Sequence, residues 1–410
     1  MKDAARKPRL LVLTSTYPRW RDDPEPGFVH ELSKRLTTDF DVTVLAPHAR
    51  GAAVEEDMDG VAVRRYRYAP ASWETLVNDG GMVANLRGNP LKWLLVPGFL
   101  LSQAWVARRL IRQKRVDVLH VHWLVPQGLV MLLLRLSGCA TPYLVTSHGA
   151  DLYSLRGALL NALKRRIAKG SATMTVVSSA MRMEAERVGI QPPRLEVLPM
   201  GVDLQGRFVP AAGQERDTDR ILFVGRLVPK KGLTHLLDTL PQVLARRPSV
   251  TLTIAGFGPE EHPLRAQVQR LGLGAKVGFL GARPQSELPA LYRSASLFVA
   301  PFVRDASGDQ EGLPVALMEA IACGCPVVAG DVAGLQDLLG AASRDICINP
   351  EDGAALAAAI LAVLDNPAEA RAKALTLRQA VAERVDWAVI AAGYARLLKS
   401  CVQTPGKAGS

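Results

Sequence analysis

The chain has 410 residues, of which 48% are hydrophobic and 22% are charged, and its formal net charge is +11. This composition excludes a disordered or fibrous protein, and the length predicts two domains of roughly 200 residues each. Five cysteines, an odd number with no secretory signal ahead of them, favour a reducing cytoplasm over a disulfide framework.

The first half of the chain alternates short apolar runs with helical patterns. Strands are predicted at Arg9–Thr14, Val42–Ala46, Val118–His122, Tyr143–Ser147 and Met174–Ser178. These runs lack polar alternation, which is typical of strands covered on both faces. The first half therefore predicts a parallel α/β sheet with crossover helices.

The basic excess of the chain lies in this first half. Residues 1–200 hold 28 lysines and arginines against 18 acidic residues, a balance of +10, which leaves +1 for the rest. Much of it lies in 108–115 and 164–169, at the polar face or end of apolar helical segments. Such segments are either solvated helix faces or surfaces that rest on an anionic membrane. Without a recognition motif, the charge does not favour a nucleic-acid partner.

The longest apolar stretch, Trp93–Ala107, is shorter than the ~20 residues that span a bilayer. It also contains Pro97 and Gly98. We therefore predict no transmembrane helix.

A polar segment, Leu204–Asp219, predicts a linker to a second domain. Five further strands are predicted after it, at Ile221–Val224, Leu252–Ala255, Val277–Leu280, Leu297–Ala300 and Val327–Ala329. The predicted domains are 1–203 and 220–385. A helix over 386–400 is expected to pack back on the first domain, and 401–410 is expected to be a disordered tail.

A basic motif follows the first strand of the second series. Gly225 and Arg226 come directly after Ile221–Val224, and Lys231 precedes a helical pattern. Ligands of doubly wound sheets bind at the carboxyl ends of strands, and a glycine turn with fixed positive charge suits a diphosphate. A basic surface turn also fits this motif when it is taken alone.

An acidic motif, Glu311 to Pro314, opens the predicted helix Val315–Cys323. Proline suits the first helical turn, and the backbone N–H groups before the helix can point at a phosphate or sugar. Glu319 follows eight residues after Glu311, about 12 Å along a helix axis. The two carboxylates would then meet different parts of a long, hydroxyl-rich ligand. An acidic helix cap with a partly buried glutamate is the structural alternative.

Taken in order, these motifs resemble glycosyltransferase family 4, which has the GT-B fold of two facing Rossmann-like domains. The resemblance continues through Gly256–Pro259 and EGLPVALMEAIACGCPVVAG, and it extends to TSHGADLY and PMGVDLQGRF, so it covers nearly the whole chain. It implies an enzyme that moves a sugar from a nucleotide diphosphate sugar to a glycan or lipid-linked glycan. The N-terminal domain is expected to bind the acceptor, and its basic charge favours an acceptor of cell-surface polysaccharide synthesis.

The resemblance also implies roles for residues of the second domain. Arg226 and Lys231 would neutralise the donor diphosphate, Glu319 would bind the ribose hydroxyls, and Glu311 would hold the donor sugar near its anomeric carbon. The remaining donor contacts would come from the backbone of Gly312, Leu313, Pro314 and Val315.

In the first domain the resemblance points to three residues. His148 would reach the donor sugar or stabilise charge in the transition state, and is expected to be catalytic together with Glu311. Gly27 would let a loop approach the donor phosphates. Asp151 would order the loop after His148.

Members of the family usually retain the anomeric configuration and need no metal. Arg226, Lys231 and helix N–H groups facing the diphosphate agree with this, because they supply the positive charge. We therefore expect no cofactor, a nucleotide-sugar donor, a saccharide or lipid-linked saccharide acceptor, and a cytoplasmic enzyme in peripheral contact with anionic membrane. The alternatives are a GT-B nucleotide-sugar epimerase and a degenerate GT-B binding protein without catalysis.

Overall fold

The computed structural model describes residues 6–23, 25–78, 81–211 and 216–403. The chain forms two compact units. The first comprises Met1–Pro199 with Ile390–Ser410, and the second comprises Met200–Val389. Each unit has its own parallel sheet covered by helices, which is the predicted α/β architecture.

The first unit is built on an eight-stranded sheet. Its strands are β1 (Arg9–Leu13), β2 (Asp41–Pro47), β3 (Glu55–Met58), β4 (Val61–Tyr66), β5 (Val118–His122), β6 (Tyr143–Ser147), β7 (Thr173–Val176) and β8 (Leu195–Val197). Their order is β3-β4-β2-β1-β5-β6-β7-β8, and all neighbours are parallel except β3 and β4. The five predicted strands are confirmed within two residues. The sequence interpretation missed the edge strands β3 and β8, and also β4, which lies between β3 and β2.

Within the described residues of the first unit, seven helices connect these strands. They are α1 (Phe28–Leu36), α2 (Met82–Gly88), α3 (Leu95–Lys114), α4 (Gln127–Leu136), α5 (Ala150–Tyr153), α6 (Ala158–Gly170) and α7 (Ser179–Arg187). Short 3₁₀ turns at Ala71–Trp73 and Pro90–Leu94 precede α2 and α3.

By length and composition, the helical stretch Pro90–Lys114 is long and apolar enough to cross a membrane. The prediction of no such helix counted Trp93–Ala107 alone. The face of α3 that carries Phe99, Gln103 and Leu110 is nevertheless buried in the first unit. The side-chain amide of Gln103 lies 3.4 Å from the carbonyl oxygen of Thr14, next to β1. In this structure α3 therefore belongs to the layer of helices that covers the sheet.

The second unit has a six-stranded, wholly parallel sheet. Its strands are β9 (Arg220–Val224), β10 (Thr251–Ala255), β11 (Val277–Gly281), β12 (Leu297–Ala300), β13 (Val327–Gly330) and β14 (Cys347–Ile348). Their order is β11-β10-β9-β12-β13-β14. All five strands predicted here are confirmed, and only the two-residue edge strand β14 was missed.

Eight helices cover the second sheet. They are α8 (Leu233–Arg246), α9 (Glu261–Arg270), α10 (Leu288–Ser294), α11 (Val315–Ala322), α12 (Leu335–Leu339), α13 (Ser343–Ile346), α14 (Gly353–Asp365) and α15 (Pro367–Val385). Short 3₁₀ turns lie at Pro229–Lys231 and Gly340–Ala342. Alternate residues of β12 enter different core clusters, with Leu297 in one and Phe298 in the other. Both faces of the sheet are thus buried, which explains the continuous apolar runs.

The predicted linker is wrong over its described residues, because much of Leu204–Asp219 is part of the second unit. Leu204 and Phe208, four residues apart, are both 3% exposed and lie in its core. Arg216 donates hydrogen bonds to the carbonyl oxygens of Tyr292 and Gly324 at 2.6 and 2.8 Å. Most residues of this segment are polar, and the linker prediction therefore overlooked its two core side chains. The second unit begins at Met200.

The last element of the described residues is helix α16 (Trp387–Gln403), of which the part from Ile390 onward belongs to the first unit. Tyr394 is fully buried there and donates a hydrogen bond to the carbonyl oxygen of Leu198 at 3.0 Å. The helix continues past the expected start of the tail because Cys401 is buried. The rest of that tail, residues 404–410, lies outside the described residues.

Candidate active site

The carboxyl ends of β9, β10 and β12 carry the motifs of the second unit. Gly256 follows β10, and a Cβ atom there would collide with the carbonyl oxygen of Gly225. Gly232 has a φ of +66°, and a Cβ atom there would collide with the carbonyl oxygen of Pro301, just after β12. Only glycine allows these loops to meet backbone to backbone. The loops after three strands are thereby brought together.

Lys231 and Glu311 meet at this edge of the sheet. The Lys231 Nζ lies 3.3 Å from Glu311 Oε2, and it stands 4.9 Å from the centre of the Phe302 ring. Lys230, which the sequence interpretation did not select, lies 3.4 Å from the other oxygen of Glu311 and 3.3 Å from Asp309. One acidic side chain is therefore held between two lysines.

These lysines determine the charge of Glu311. Burial opposes ionisation of this carboxyl, yet Lys230 and Lys231 outweigh the effect and lower its pKa to about 2. Burial also lowers the pKa of Lys231, and the positive charges of Lys230 and Arg226 act in the same direction. Arg226 thus lies within electrostatic reach of Lys231. At neutral pH the cluster holds an ionised Glu311 beside several cations.

Glu319 projects from α11, and its side chain is almost fully buried, at 4% exposure. Its Oε2 accepts a hydrogen bond of 2.9 Å from the hydroxyl of Tyr292. Burial raises the pKa of Glu319 to about 7, against the lowering effects of Tyr292 and the charges of Arg207 and Lys231. Arg226, Lys231, Glu311 and Glu319 are thus brought into one region. Tyr292 carried no sequence signal.

Gly312, Leu313, Pro314 and Val315 form the entrance to α11. Pro314 is the residue before the helix, and no side chain caps this end. The first N–H groups of a helix have no acceptor within it, so they can serve an anionic ligand. Pro314 itself has no N–H and contributes only its preset backbone angle.

In the first unit, His148 follows β6 and lies in a cluster of rings. Its ring stacks on that of His122, at the end of β5, with centroids 5.2 Å apart and an interplanar angle of 14°. The Nδ1 of His122 lies 2.9 Å from the Nε2 of His148. Burial lowers the pKa of His148 to about 3, so its imidazole is neutral at physiological pH. The pattern His120-x-His122 at a strand end was the unused signal for this pair.

Asp151 lies beneath the His148 loop. It accepts hydrogen bonds from the backbone N–H of Leu124 at 2.7 Å, the hydroxyl of Ser147 at 2.8 Å and the N–H of His148 at 3.2 Å. These contacts join the ends of β5 and β6. Asp151 thereby fixes the backbone that carries His148.

Gly27 precedes α1, and nothing lies within 4 Å of the position of a Cβ atom there. No neighbour in the described chain therefore requires glycine at this position. The next residue, Phe28, places its ring 5.1 Å from that of His148. Gly27 consequently lies beside the ring cluster of the first unit.

Comparisons with known proteins agree along the whole chain. A model of glycosyl transferases group 1 matches residues 208–378, and a model of glycosyltransferase family 4 matches residues 28–205. The chain is 31% identical over 375 residues to a phosphatidyl-myo-inositol mannosyltransferase of Mycobacterium tuberculosis, covering 89% of this chain and 90% of the relative. It is 28% identical over 409 residues to a glycogen synthase of the same species, covering 95% and 94%.

A solved structure shares the fold. Sucrose-phosphate synthase from Thermosynechococcus elongatus aligns with a TM-score of 0.77 at 21% identity, covering 96% of this chain and 98% of that one. The predicted GT-B fold is therefore confirmed. The chain belongs to the group 1 glycosyltransferases of family 4, and it is a nucleotide-sugar-dependent transferase.

Proposed function

We propose that this enzyme transfers a sugar from a nucleotide diphosphate sugar to a hydroxyl of a glycan or lipid-linked glycan, with retention of the anomeric configuration and without a metal ion. One observation carries the proposal. Arg226, Lys230, Lys231 and Glu311 cluster at one sheet edge, in the same unit as the uncapped N-terminus of α11. This is a site for a diphosphate that bears a hydroxyl-rich group.

The donor is proposed to bind mainly through its negatively charged diphosphate. Arg226, Lys231 and the N–H groups at the entrance to α11 face the diphosphate, and Glu319 accepts hydrogen bonds from the ribose. The hydroxyl of Tyr292 holds Glu319 in place from the other side. Because fixed cations and helix N–H groups already stabilise the charge that develops on the leaving diphosphate, no divalent cation is required for charge.

The chemical step is proposed to proceed on one face of the sugar. The bond from the anomeric carbon to the diphosphate breaks while the acceptor oxygen bonds to that carbon from the same side, and a diphosphate oxygen takes the acceptor proton. Glu311, whose low pKa keeps it ionised, holds the sugar hydroxyls. The neutral imidazole of His148, which His122 orients, is proposed to contact the donor sugar.

The acceptor and location are proposed on separate grounds. A relative is named a phosphatidyl-myo-inositol mannosyltransferase, which supports a lipid-linked acceptor. The +10 balance of residues 1–200 supports contact with an anionic membrane. We therefore place the enzyme in cell-surface glycan synthesis, at the cytoplasmic face of the membrane.

The donor site is tested by a binding screen of UDP-, GDP- and ADP-sugars, followed by substitution. Arg226→Ala should weaken binding of the selected donor about 10- to 100-fold, because a charge-assisted contact to the diphosphate is lost. Arg270→Ala, an exposed arginine at the end of α9, is the matched control. Unchanged affinity of Arg226→Ala would disprove the diphosphate assignment, and a product of inverted configuration would disprove retention.

A further inference from the structure

Large apolar side chains are exposed together in one segment of the first unit. Six of them lie between residues 73 and 105: Trp73 (63% exposed), Leu91 (73%), Trp93 (59%), Leu94 (79%), Leu101 (60%) and Trp105 (65%). Single exposed apolar residues are ordinary on soluble proteins, whereas a contiguous group marks a surface that binds something.

The geometry of α3 separates this surface from the core. Phe99, Gln103, Ala107 and Leu110 form the buried face. On the opposite, exposed side, Leu101 and Trp105 lie four residues apart on α3, and Leu94 lies directly before the helix, seven residues ahead of Leu101. At a rise of 1.5 Å per residue, this stripe is about 16 Å long.

The segment before α3 extends the surface. Lys92 donates hydrogen bonds to the carbonyl oxygen of Thr75 at 3.0 Å and to the side chain of Asn85 at 2.7 Å. Thr75 is two residues from Trp73, and Lys92 is next to Trp93. These contacts bring the turn that carries Trp73 next to the turn that carries Trp93. Both tryptophans therefore lie near the start of α3.

The charges around the surface have one sign. Residues 80–116 contain seven lysines and arginines and no acidic residue. Arg109 and Arg112 are exposed in the last turns of α3, directly after Trp105 on the helix. Within the described ranges, neither of them forms an ion pair. A tryptophan-rich apolar stripe with a basic end matches the boundary between lipid headgroups and acyl chains of an anionic bilayer.

We propose that this surface, formed by the six apolar side chains and by Arg109 and Arg112, inserts into the interface of an anionic bilayer with α3 lying parallel to the membrane plane. The inference rests on the membrane contact proposed above. It adds that the apolar side chains enter the bilayer interface, while the two arginines attract its anionic headgroups. The buried face of α3 stays on the sheet. Gly98 supports this, since a Cβ atom there would lie 2.7 Å from the carbonyl oxygen of Tyr68.

The test measures sedimentation of the full chain with vesicles of phosphatidylglycerol and phosphatidylcholine, at low and high salt. Trp93→Ser with Trp105→Ser should weaken binding at least about tenfold at both salt concentrations, since two large apolar side chains no longer leave water. Arg109→Gln with Arg112→Gln should weaken binding mainly at low salt. Leu136→Ser with Leu159→Ser removes equally exposed side chains from α4 and α6 and should change binding less than twofold.

Two outcomes would overturn the inference: full vesicle binding by the tryptophan double variant, or complete release of the wild type at high salt. A change of oligomeric state in that variant, with vesicle binding unchanged, would instead assign the surface to a second copy of the chain. Transfer to a water-soluble acceptor should be unaffected by the variant. If vesicle binding behaves as expected but no acceptor receives sugar, the proposed function fails and the membrane surface stands.

Discussion

At the scale of single residues, Glu311 and Glu319 show how surroundings set the state of an acid. Both side chains are largely buried. Glu311 has Lys230 and Lys231 at 3.4 and 3.3 Å, and its pKa falls to about 2. Glu319 has a tyrosine hydroxyl as its hydrogen-bond donor, and burial raises its pKa to about 7. One is ionised throughout the physiological range, and the other titrates within it.

The raised pKa of Glu319 predicts a pH-dependent stability. The folded state holds this proton up to about pH 7, whereas the unfolded chain releases it near the ordinary value of 4.5. The wild type therefore loses stability as pH rises between these values. Glu319→Gln should remove the loss and raise the free energy of unfolding at pH 8 by about 2 to 3 kcal/mol relative to its effect at pH 5.

Urea unfolding of the wild type and the variant at both pH values measures this difference. Glu351→Gln, at an exposed position, is the matched control and should shift stability equally at pH 5 and pH 8. Equal effects of Glu319→Gln at the two pH values would show that the carboxyl has an ordinary pKa. Donor binding by Glu319→Gln should also be weaker, because an amide accepts hydrogen bonds less strongly than a carboxylate.

At the scale of elements, glycines decide how closely the site loops approach. Gly232 and Gly272 both have a left-handed backbone, with φ of +66° and +68°. A Cβ atom at Gly232 would collide with the carbonyl oxygen of Pro301, whereas at Gly272 nothing lies within 4 Å. Substitution by alanine would therefore strain the backbone at both positions, but only at Gly232 would the new Cβ atom collide with a neighbour.

Gly272→Ala should cost about 1 kcal/mol, the usual strain of a left-handed residue. Gly232→Ala should cost about 1 to 3 kcal/mol more, because the loop after β12 must move away. This movement would also shift the neighbouring Lys231 and reduce donor affinity. Denaturant unfolding and donor titration of both variants measure the two effects. Equal stabilities of the variants would refute the close approach seen here.

Elements also show what sequence could and could not predict. The pattern of continuous apolar runs predicted ten strands, and nine of these lie inside the two sheets, where both faces are buried. The edge strands β3 and β14 are short and only partly buried, and they left no such pattern. Leu204 and Phe208 were assigned to a linker since polar neighbours outnumber them in sequence, although both lie in the core.

Some residues of the candidate site could likewise be predicted from sequence, and others could not. Arg226, Lys231 and Glu311 were predictable because they follow strands or precede a helix. Glu319 was predictable from its spacing to Glu311, and all four residues match ordered family motifs. The pairing of Lys230 with Asp309, the hydroxyl of Tyr292 and the stacking of His122 depend on contacts between elements distant in sequence. Periodicity reports which face of an element is buried, and it carries no information on which side chains meet across elements.

At the scale of the whole molecule, the net charge is distributed unevenly along the chain. The first 200 residues carry +10 and the remainder +1, so the basic excess that we propose meets an anionic membrane lies in a different part of the sequence from the proposed donor motifs of the second unit. In the donor cluster, Asp309 and Glu311 partly balance the three cations Arg226, Lys230 and Lys231. These five side chains together carry one net positive charge, in the same unit as the N-terminus of α11.

This balance predicts that a nucleotide sugar stabilises the enzyme equally with and without divalent cations. A donor at 100 times its dissociation constant should raise the free energy of unfolding by about 2.7 kcal/mol. The increase should be the same in EDTA and in magnesium, since the protein cations and the helix N-terminus already neutralise the phosphates. Thermal unfolding of the full chain with the donor selected in the binding screen measures it, and Arg226→Ala should lose about half of the increase or more at the same donor concentration. An increase that appears only with magnesium would mean that these cations are occupied by Asp309 and Glu311 when the donor is bound, and that a metal ion supplies the missing charge.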